Sequence, residues 1–344
     1  MSPVSDATAR VNGTVYAVAQ VGTKTIIGGD FTTVGGLPRT NLAAITAAGK
    51  VDPTFVPEVD GIVRALTGSA DGTVVYAGGT FARAGGAARA NLAALSAGTG
   101  AAIPDWTADT VGDVPDVLGL AVSGSSLYVG GRFAGIDGST RRRLAALDAA
   151  GNLITTFRPA PSAAVRVVAP SVDGTRLFVG GTFALIGGQS RAGVAELDPA
   201  TGSARSFAVQ GSGSPLTAMG TSANGDRLYY GVQDNRVFAY DTNTGALLWT
   251  VKNGGDTQAI AATDTEVYLG GHFGNNLTSK VKRQWIESVS PANGAVTGWD
   301  PKLAGGFMGV WAITATPTAL LVGGEFTAAD GVDRRRFARF PGTP

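Results

Sequence analysis

A chain of 344 residues with 27 Lys and Arg against 26 Asp and Glu carries a net charge of +1, which lacks the basic excess that phosphate neutralisation needs and argues against nucleic acid as a partner. Cysteine is absent and histidine occurs once, so no disulfide framework, Cys-ligated zinc, thiolate nucleophile or multi-His metal site can be assembled. Glycine accounts for 51 residues, about twice ordinary usage, and no unbroken apolar stretch of about 18 residues is present, so no membrane span is expected.

The predicted elements recur. A Gly-Gly-x-Phe tetrad stands at Gly28–Phe31, then at Gly78, Gly130 and Gly180, in a degenerate form at Gly231 within RLYYGVQD, and again at Gly270 and Gly323. The spacings are 50, 52, 50, 51, 39 and 53 residues, which divides the chain into seven units. Each unit contains four short extended segments, A to D; in the fourth they are VRVVAPS, TRLFVGG, GVAELD and SARSFAV. Turn pairs such as Asp71-Gly72, Asp173-Gly174 and Asn224-Gly225 join A to B, and Gly49, Gly100, Gly151, Gly202, Gly245 and Gly294 end the C to D turns. Segments of this length, rich in Val, Leu, Tyr and Phe, predict strands throughout, and four antiparallel strands repeated seven times predict an all-β, seven-bladed β-propeller spanning residues 1–344 as a single domain. Segment A, rich in Ala, Ser, Thr and Gly, suits the innermost position, where seven strands crowd a channel.

The runs GKVDPTFVP (Gly49 to Pro57) and SADGTVVYAGGTF (Ser69 to Phe81) resemble the delta-60 type propeller repeat, with its G-x-x-D-x-x-F followed by DG and a hydrophobic GG-x-F. The resemblance covers nearly the whole chain, is strongest in units 1 to 4 and is poor in unit 5. The tetrads are also similar to those of kelch-like propellers, without the spaced Tyr and Trp of the kelch signature. This resemblance implies a repeat module of secreted or surface proteins of bacteria, for which no reaction is established, and it carries over no catalytic residue.

The last unit stops after its segment C, so its strand D is expected from residues 3–9 at the other end of the chain, closing the ring in blade 7. The other D segments each carry an aromatic residue (Phe55, Trp106, Phe157, Phe207, Trp249, Trp299), and counting back from segment A places Ala7 in that slot, a weak anchor. The alternative is that the natural chain continues upstream of Met1.

A residue present in every unit is expected to serve the scaffold. By this rule the GG pair provides close backbone approach or positive φ, the following Phe wedges between blades, and Arg39, Arg89, Arg141, Arg191, Arg283 and Arg334 tie the B to C loop to backbone carbonyls or to a carboxylate of the adjoining blade. Departures from the repeat point elsewhere. The spacing of 39 means that blade 5 has lost its B to C loop at Gln233-Asp234-Asn235, which opens a notch on one rim. Beside it stand the single histidine, His272, with Asn275, Asn276 and Trp285, and a D to A link lengthened to 11 residues (Trp299 to Val310) that brings Phe307, Met308 and Trp311. Aromatics and amides on a concave rim are the composition used to bind sugars or peptide segments. Asp105, Asp109, Asp113 and Asp116 share another long link and are weak candidates for Ca²⁺, although their spacing is not that of an EF-hand and Arg141, Arg142 and Arg143 stand by to neutralise them.

The expected function is therefore a non-catalytic binding or interaction propeller, extracellular or at the cell surface, a monomer or a module of a larger chain, needing no cofactor and presenting the rim of blades 5 to 7 to a glycan or protein partner. A secreted carbohydrate-active enzyme, hydrolase or lyase, using Asp or Glu on the same rim is the alternative, and DTNTGALLW (Asp241 to Trp249) gives a fainter hint of quinoprotein-type propellers.

Overall fold

The computed structural model describes residues 1–210 and 213–342, and every regular element among them is a β-strand. Seven A strands, from Thr14–Val21 in blade 1 to Val310–Ala315 in blade 7, line one central channel, and each pairs antiparallel with its B strand, which pairs with C. Among the described residues only blade 5 forms a full four-stranded sheet, closed by Leu247–Lys252. In blades 1 to 4 and 6 D touches C through single bridges such as Ile45 to Val51 and Leu95 to Ala102.

The apolar core divides into seven clusters among the described residues, and each spans two neighbouring blades, including one that joins Leu321 and Phe337 of blade 7 to Val15 and Val18 of blade 1. The seam is thus packed like every other interface. Ser2 and Asp6 donate backbone N–H groups to Pro341 (2.9 Å) and Arg339 (2.8 Å), so the N-terminal segment is the outer strand of blade 7. Its register differs from the one counted back from segment A. Asp6 bonds Arg339 as Asp52 bonds Ala44, which puts Ala9, not Ala7, in the slot of Phe55; the link to strand A is two residues shorter here. Ala9 packs into the seam cluster while Ala7 is exposed.

The GG pair is a matter of close approach. At Gly78 a Cβ would lie 2.3 Å from Val117 of the next blade, and at Gly79 it would lie 1.9 Å from the Ile62 carbonyl oxygen of its own blade. Neither has positive φ. Blade 5 replaces the second glycine by Val232, which accounts for the degenerate copy. The Phe after each pair is buried, from Phe31 at 2% to Phe326 at 0% exposure.

Five of the six repeated arginines clamp strand D, and they do so within their own blade, whereas Arg141 makes no side-chain hydrogen bond among the described residues. Arg39 donates to the carbonyls of Asp52 and Pro53 (3.2 and 3.3 Å), Arg89 to Ile103 and Pro104 (2.9 and 3.1 Å), and Arg334 to Ser5 on the N-terminal strand. One layer of structure was not foreseen. Six B to C loops carry a small hairpin, for example Thr33–Val34 against Leu37–Pro38, turned at Gly35-Gly36 with both φ positive. The signal was available in the x-Gly pairs at 35–36, 85–86, 137–138, 187–188 and 330–331. Blade 5 has instead the expected tight turn, with Asn235 at φ 70° donating to Val232.

Candidate functional site: the channel mouth

Every A strand contains one β-bulge near its start, at the end of the blade where the hairpins lie. A bulge leaves one residue without a ladder partner and re-aims its side chain. Here the unpaired residues are Tyr16, Arg64, Leu118 and Arg166 in blades 1 to 4 and Thr217, Gln258 and Trp311 in blades 5 to 7, and all seven line the channel, which encloses about 510 Å³. The fold supplies seven equivalent slots, and the sequence fills them with different chemistry.

Blades 7 and 1 supply an aromatic wall, in which Trp311 meets Tyr16 edge to face at 5.4 Å. Arg64 lies over the Tyr16 ring at 5.4 Å, and its Nε is 3.3 Å from Asp116 Oδ2. Burial pushes the Asp116 carboxyl up, against the pull of Arg64, Arg132 and Arg166. Burial, and then Arg132, lowers the Arg166 guanidinium. Three guanidiniums therefore act on one buried carboxylate, with Arg64 alone in ion-pair range. Opposite them, Gln258 turns its amide nitrogen to the carbonyls of Met308 and Val310 (both 3.2 Å), while Trp311 Nε1 and Thr217 Oγ1 are buried without a hydrogen-bond partner.

The residues expected on the rim of blades 5 to 7 are divided among three places. His272, half-buried, and Phe307, 72% exposed, meet at 5.4 Å on the outer rim, next to Met308, whose N–H donates to Glu325 (3.3 Å). Trp311 belongs to the channel. Trp285 and Asn276 are interior: Trp285 occupies the left-handed slot that Asn41 and Asn91 fill in blades 1 and 2 (φ 63°), 7% exposed, and covers Gly309, where a Cβ would lie 2.7 Å from the indole. Asn276, 0% exposed, donates to both carboxylate oxygens of Glu287 (3.0 and 3.2 Å), and Asn275 pairs with Lys282 in the blade 6 hairpin.

The four aspartates of the long link do not converge. Asp109 accepts the N–H of Ala90 (2.7 Å), Asp116 faces Arg64, and Asp105 and Asp113 are exposed. No group of three or more His, Asp or Glu is placed to hold a metal ion among the described residues. No helix among them is long and apolar enough to cross a membrane. What the sequence reading missed is the bulge column itself: aligned on Val15, Val63, Val117, Val165, Leu216, Thr257 and Val310 near the start of each A strand, the next position reads Tyr, Arg, Leu, Arg, Thr, Gln, Trp.

Comparison with known proteins supports the architecture. A family model described as a domain of unknown function (DUF5122) beta-propeller matches residues 24–55, the B strand of blade 1 through the aromatic residue of its D segment. No curated protein matches the chain. Among solved structures, a chain of the mitotic checkpoint complex is similar over 99% of this chain and 92% of its own (16% identity, TM-score 0.68). The WD40 β-propeller domain of Doa1 is similar over 100% and 98% (11%, 0.66), and the computationally designed protein Ika8 over 99% of each chain (15%, 0.58). At these identities the likeness concerns the fold alone, and this chain is a β-propeller.

Proposed function

We propose that this propeller is a non-catalytic binding module of an extracellular bacterial protein, and that it presents its hairpin face, centred on the channel mouth, to a glycan. The observation that carries the proposal is the Tyr16–Trp311 wall, which lines the channel together with Arg64 and Arg166, two guanidiniums that make no side-chain hydrogen bond among the described residues. A sugar ring offers what such a mouth requires, a flat apolar face for the aromatics and directed acceptors for the donors. The exposed Phe307–His272 pair extends the same face outward. The extracellular bacterial setting is supported by the repeat resemblance.

Carboxylate chemistry is less well supported, since among the described residues Asp256 is the one acid on the channel lining and the acids around it are engaged. Asp116 faces Arg64, the Arg236 guanidinium holds the Asp234 carboxyl down to about 2, and Glu287 is sealed behind Asn276. Paired acid and base work needs two carboxyl groups that both reach the substrate.

The proposal is tested by retention of the folded protein on a glycan array, alongside Trp311→Ala and Tyr16→Ala. Retention that falls in both variants while Tm moves by no more than a few degrees is the expected result. An array that retains nothing, or variants retained as well as the parent protein, overturns it.

A further inference from the structure

We propose that the channel mouth selects acidic sugars, binding the carboxylate of a hexuronic acid between Arg64 and Arg166 with the pyranose ring against Trp311 and Tyr16. This rests on the glycan-binding role proposed above and specifies its ligand class.

The charge count is the first ground. Arg64 and Arg166 line the channel against one lining acid, Asp256 of blade 6, and buried Asp116 stands in ion-pair range of Arg64 alone, at 3.3 Å. A guanidinium has five N–H donors in a fork. Neither Arg64 nor Arg166 makes a side-chain hydrogen bond among the described residues, and the Nε of each is buried without one. A cation half-withdrawn from water without an acceptor is costly unless an anion is meant to complete it. Asp116 stands in ion-pair range of Arg64 and not of Arg166.

The arrangement around the ring is the second ground. Arg64 and Arg166 flank Leu118, two slots apart, so they can grip one carboxylate between them, and the aromatic wall begins in the slot next to Arg64. A bare inorganic anion would use the arginines and leave the aromatic wall idle. A neutral sugar would use the wall and leave the arginines unmatched. A carboxylated sugar uses both.

The test is isothermal titration of the whole chain with galacturonate and glucuronate, against glucose and inorganic phosphate at one fixed ionic strength near 0.1 M, where screening is constant. The expected result is saturable uronate binding at least tenfold tighter than glucose or phosphate. Arg166→Gln is expected to weaken the uronate by about 10- to 100-fold while leaving glucose unchanged, the loss of charge-assisted hydrogen bonds. Arg166 is the residue to change because Arg64 also faces buried Asp116, and removing it would leave that acid uncompensated. Arg166→Lys, which keeps the charge and loses the fork, provides a second folded variant and is expected to fall between the two. If glucose and uronates bind equally, the acidic-sugar inference fails and the glycan role stands. If phosphate matches or displaces the uronate, the site is a simple anion site and the inference fails. If Arg166→Gln binds uronate like the parent, the arginines are not the receptor and the inference fails as well.

Discussion

Arg334→Ala should loosen the ring at its seam in a way that the equivalent change in an interior blade does not. The two clamps are chemically alike: Arg334 donates to Ser5 Oγ (3.0 Å) and to the Ser5 and Asp333 carbonyls (3.5 and 3.0 Å), and Arg89 to the carbonyls of Ala88, Ile103 and Pro104 (2.7, 2.9 and 3.1 Å). Arg334 is half-buried and Arg89 is buried, and each substitution should cost at least the low end of the range for hydrogen bonds to a charged group, about 1.5 kcal/mol, or roughly 2 °C in Tm for a chain of this size. The difference lies in connectivity. Strand D of blade 2 continues directly from strand C of its own blade, whereas the outer strand of blade 7 comes from the other end of the ring and is joined to strand C only by non-covalent contacts. It is held by Ser2 on the Pro341 carbonyl and Asp6 on the Arg339 carbonyl, by Thr8 on Phe337 (3.0 Å), by the Asp6–Arg339 ion pair and by Trp299 Nε1 on the Ser2 carbonyl (3.2 Å). With Ala9 in place of an aromatic anchor, local opening should cost little, and losing about 1.4 kcal/mol there raises the open population about tenfold. Hydrogen exchange is the assay. The Asp6 amide should exchange about tenfold faster in Arg334→Ala, while the matching Ile103 amide in Arg89→Ala stays within a factor of two. Equal acceleration at the two amides, or none at Asp6, would refute the claim that the terminal strand is the weak edge.

Other substitutions follow from the same packing. Gly78→Ala should cost about 1 to 3 kcal/mol, because its Cβ would meet Val117 at 2.3 Å, and Gly231→Ala clearly less, because its nearest neighbours stand at 3.2 Å; thermal unfolding ranks the pair. Trp285→Ala should lower stability by about 3 to 5 kcal/mol as a core cavity, whereas Phe307→Ala, at a ring 72% exposed, should leave Tm nearly unchanged, and a reversal of that order in denaturant melts would be inconsistent with the packing described. Burial pushes the Glu287 carboxyl from 4.5 up to about 7, with Asn276 and Asn253 pulling it back. A carboxyl raised in the folded state favours folding in full below its unfolded value, and that contribution is lost as pH rises from about 4.5 to 7. Stability should therefore fall across this window by on the order of 3 kcal/mol and the fall should flatten in Glu287→Gln; a parent profile already flat there would show that the acid is ionised in the fold.

The sequence made the architecture legible because a propeller states its fold seven times, so that the tetrads, the turn glycines and the arginines each carry the same message in several copies. The closing strand was legible in topology but not in register. Counting back from strand A assumes a link of constant length, and the N-terminal link is two residues shorter, which only the hydrogen bond from Asp6 to Arg339 reveals. Trp285 illustrates a different obstacle. As an unusual residue beside a deletion it invited a surface role, yet it fills the left-handed slot that buried Asn41 and Asn91 fill in blades 1 and 2, and its partner is the absence of a side chain at Gly309.

The candidate site was the hardest part to read, for a reason inherent in repeats. Departures in length draw attention because they break the alignment, and the blade 5 deletion and the lengthened link before blade 7 do so. The channel ring breaks nothing. Each bulge holds the same backbone geometry, so the slot is conserved seven times by the fold and its occupant is left free to vary. Scaffold positions in such a chain keep both geometry and chemistry, and loop insertions keep neither. A position that keeps its geometry and changes its chemistry from blade to blade is where one ligand can be met by seven different groups, and that is the pattern of Tyr16, Arg64, Leu118, Arg166, Thr217, Gln258 and Trp311. If the ring only filled space, small apolar residues would serve in all seven slots, and two arginines with unused donors would not sit there.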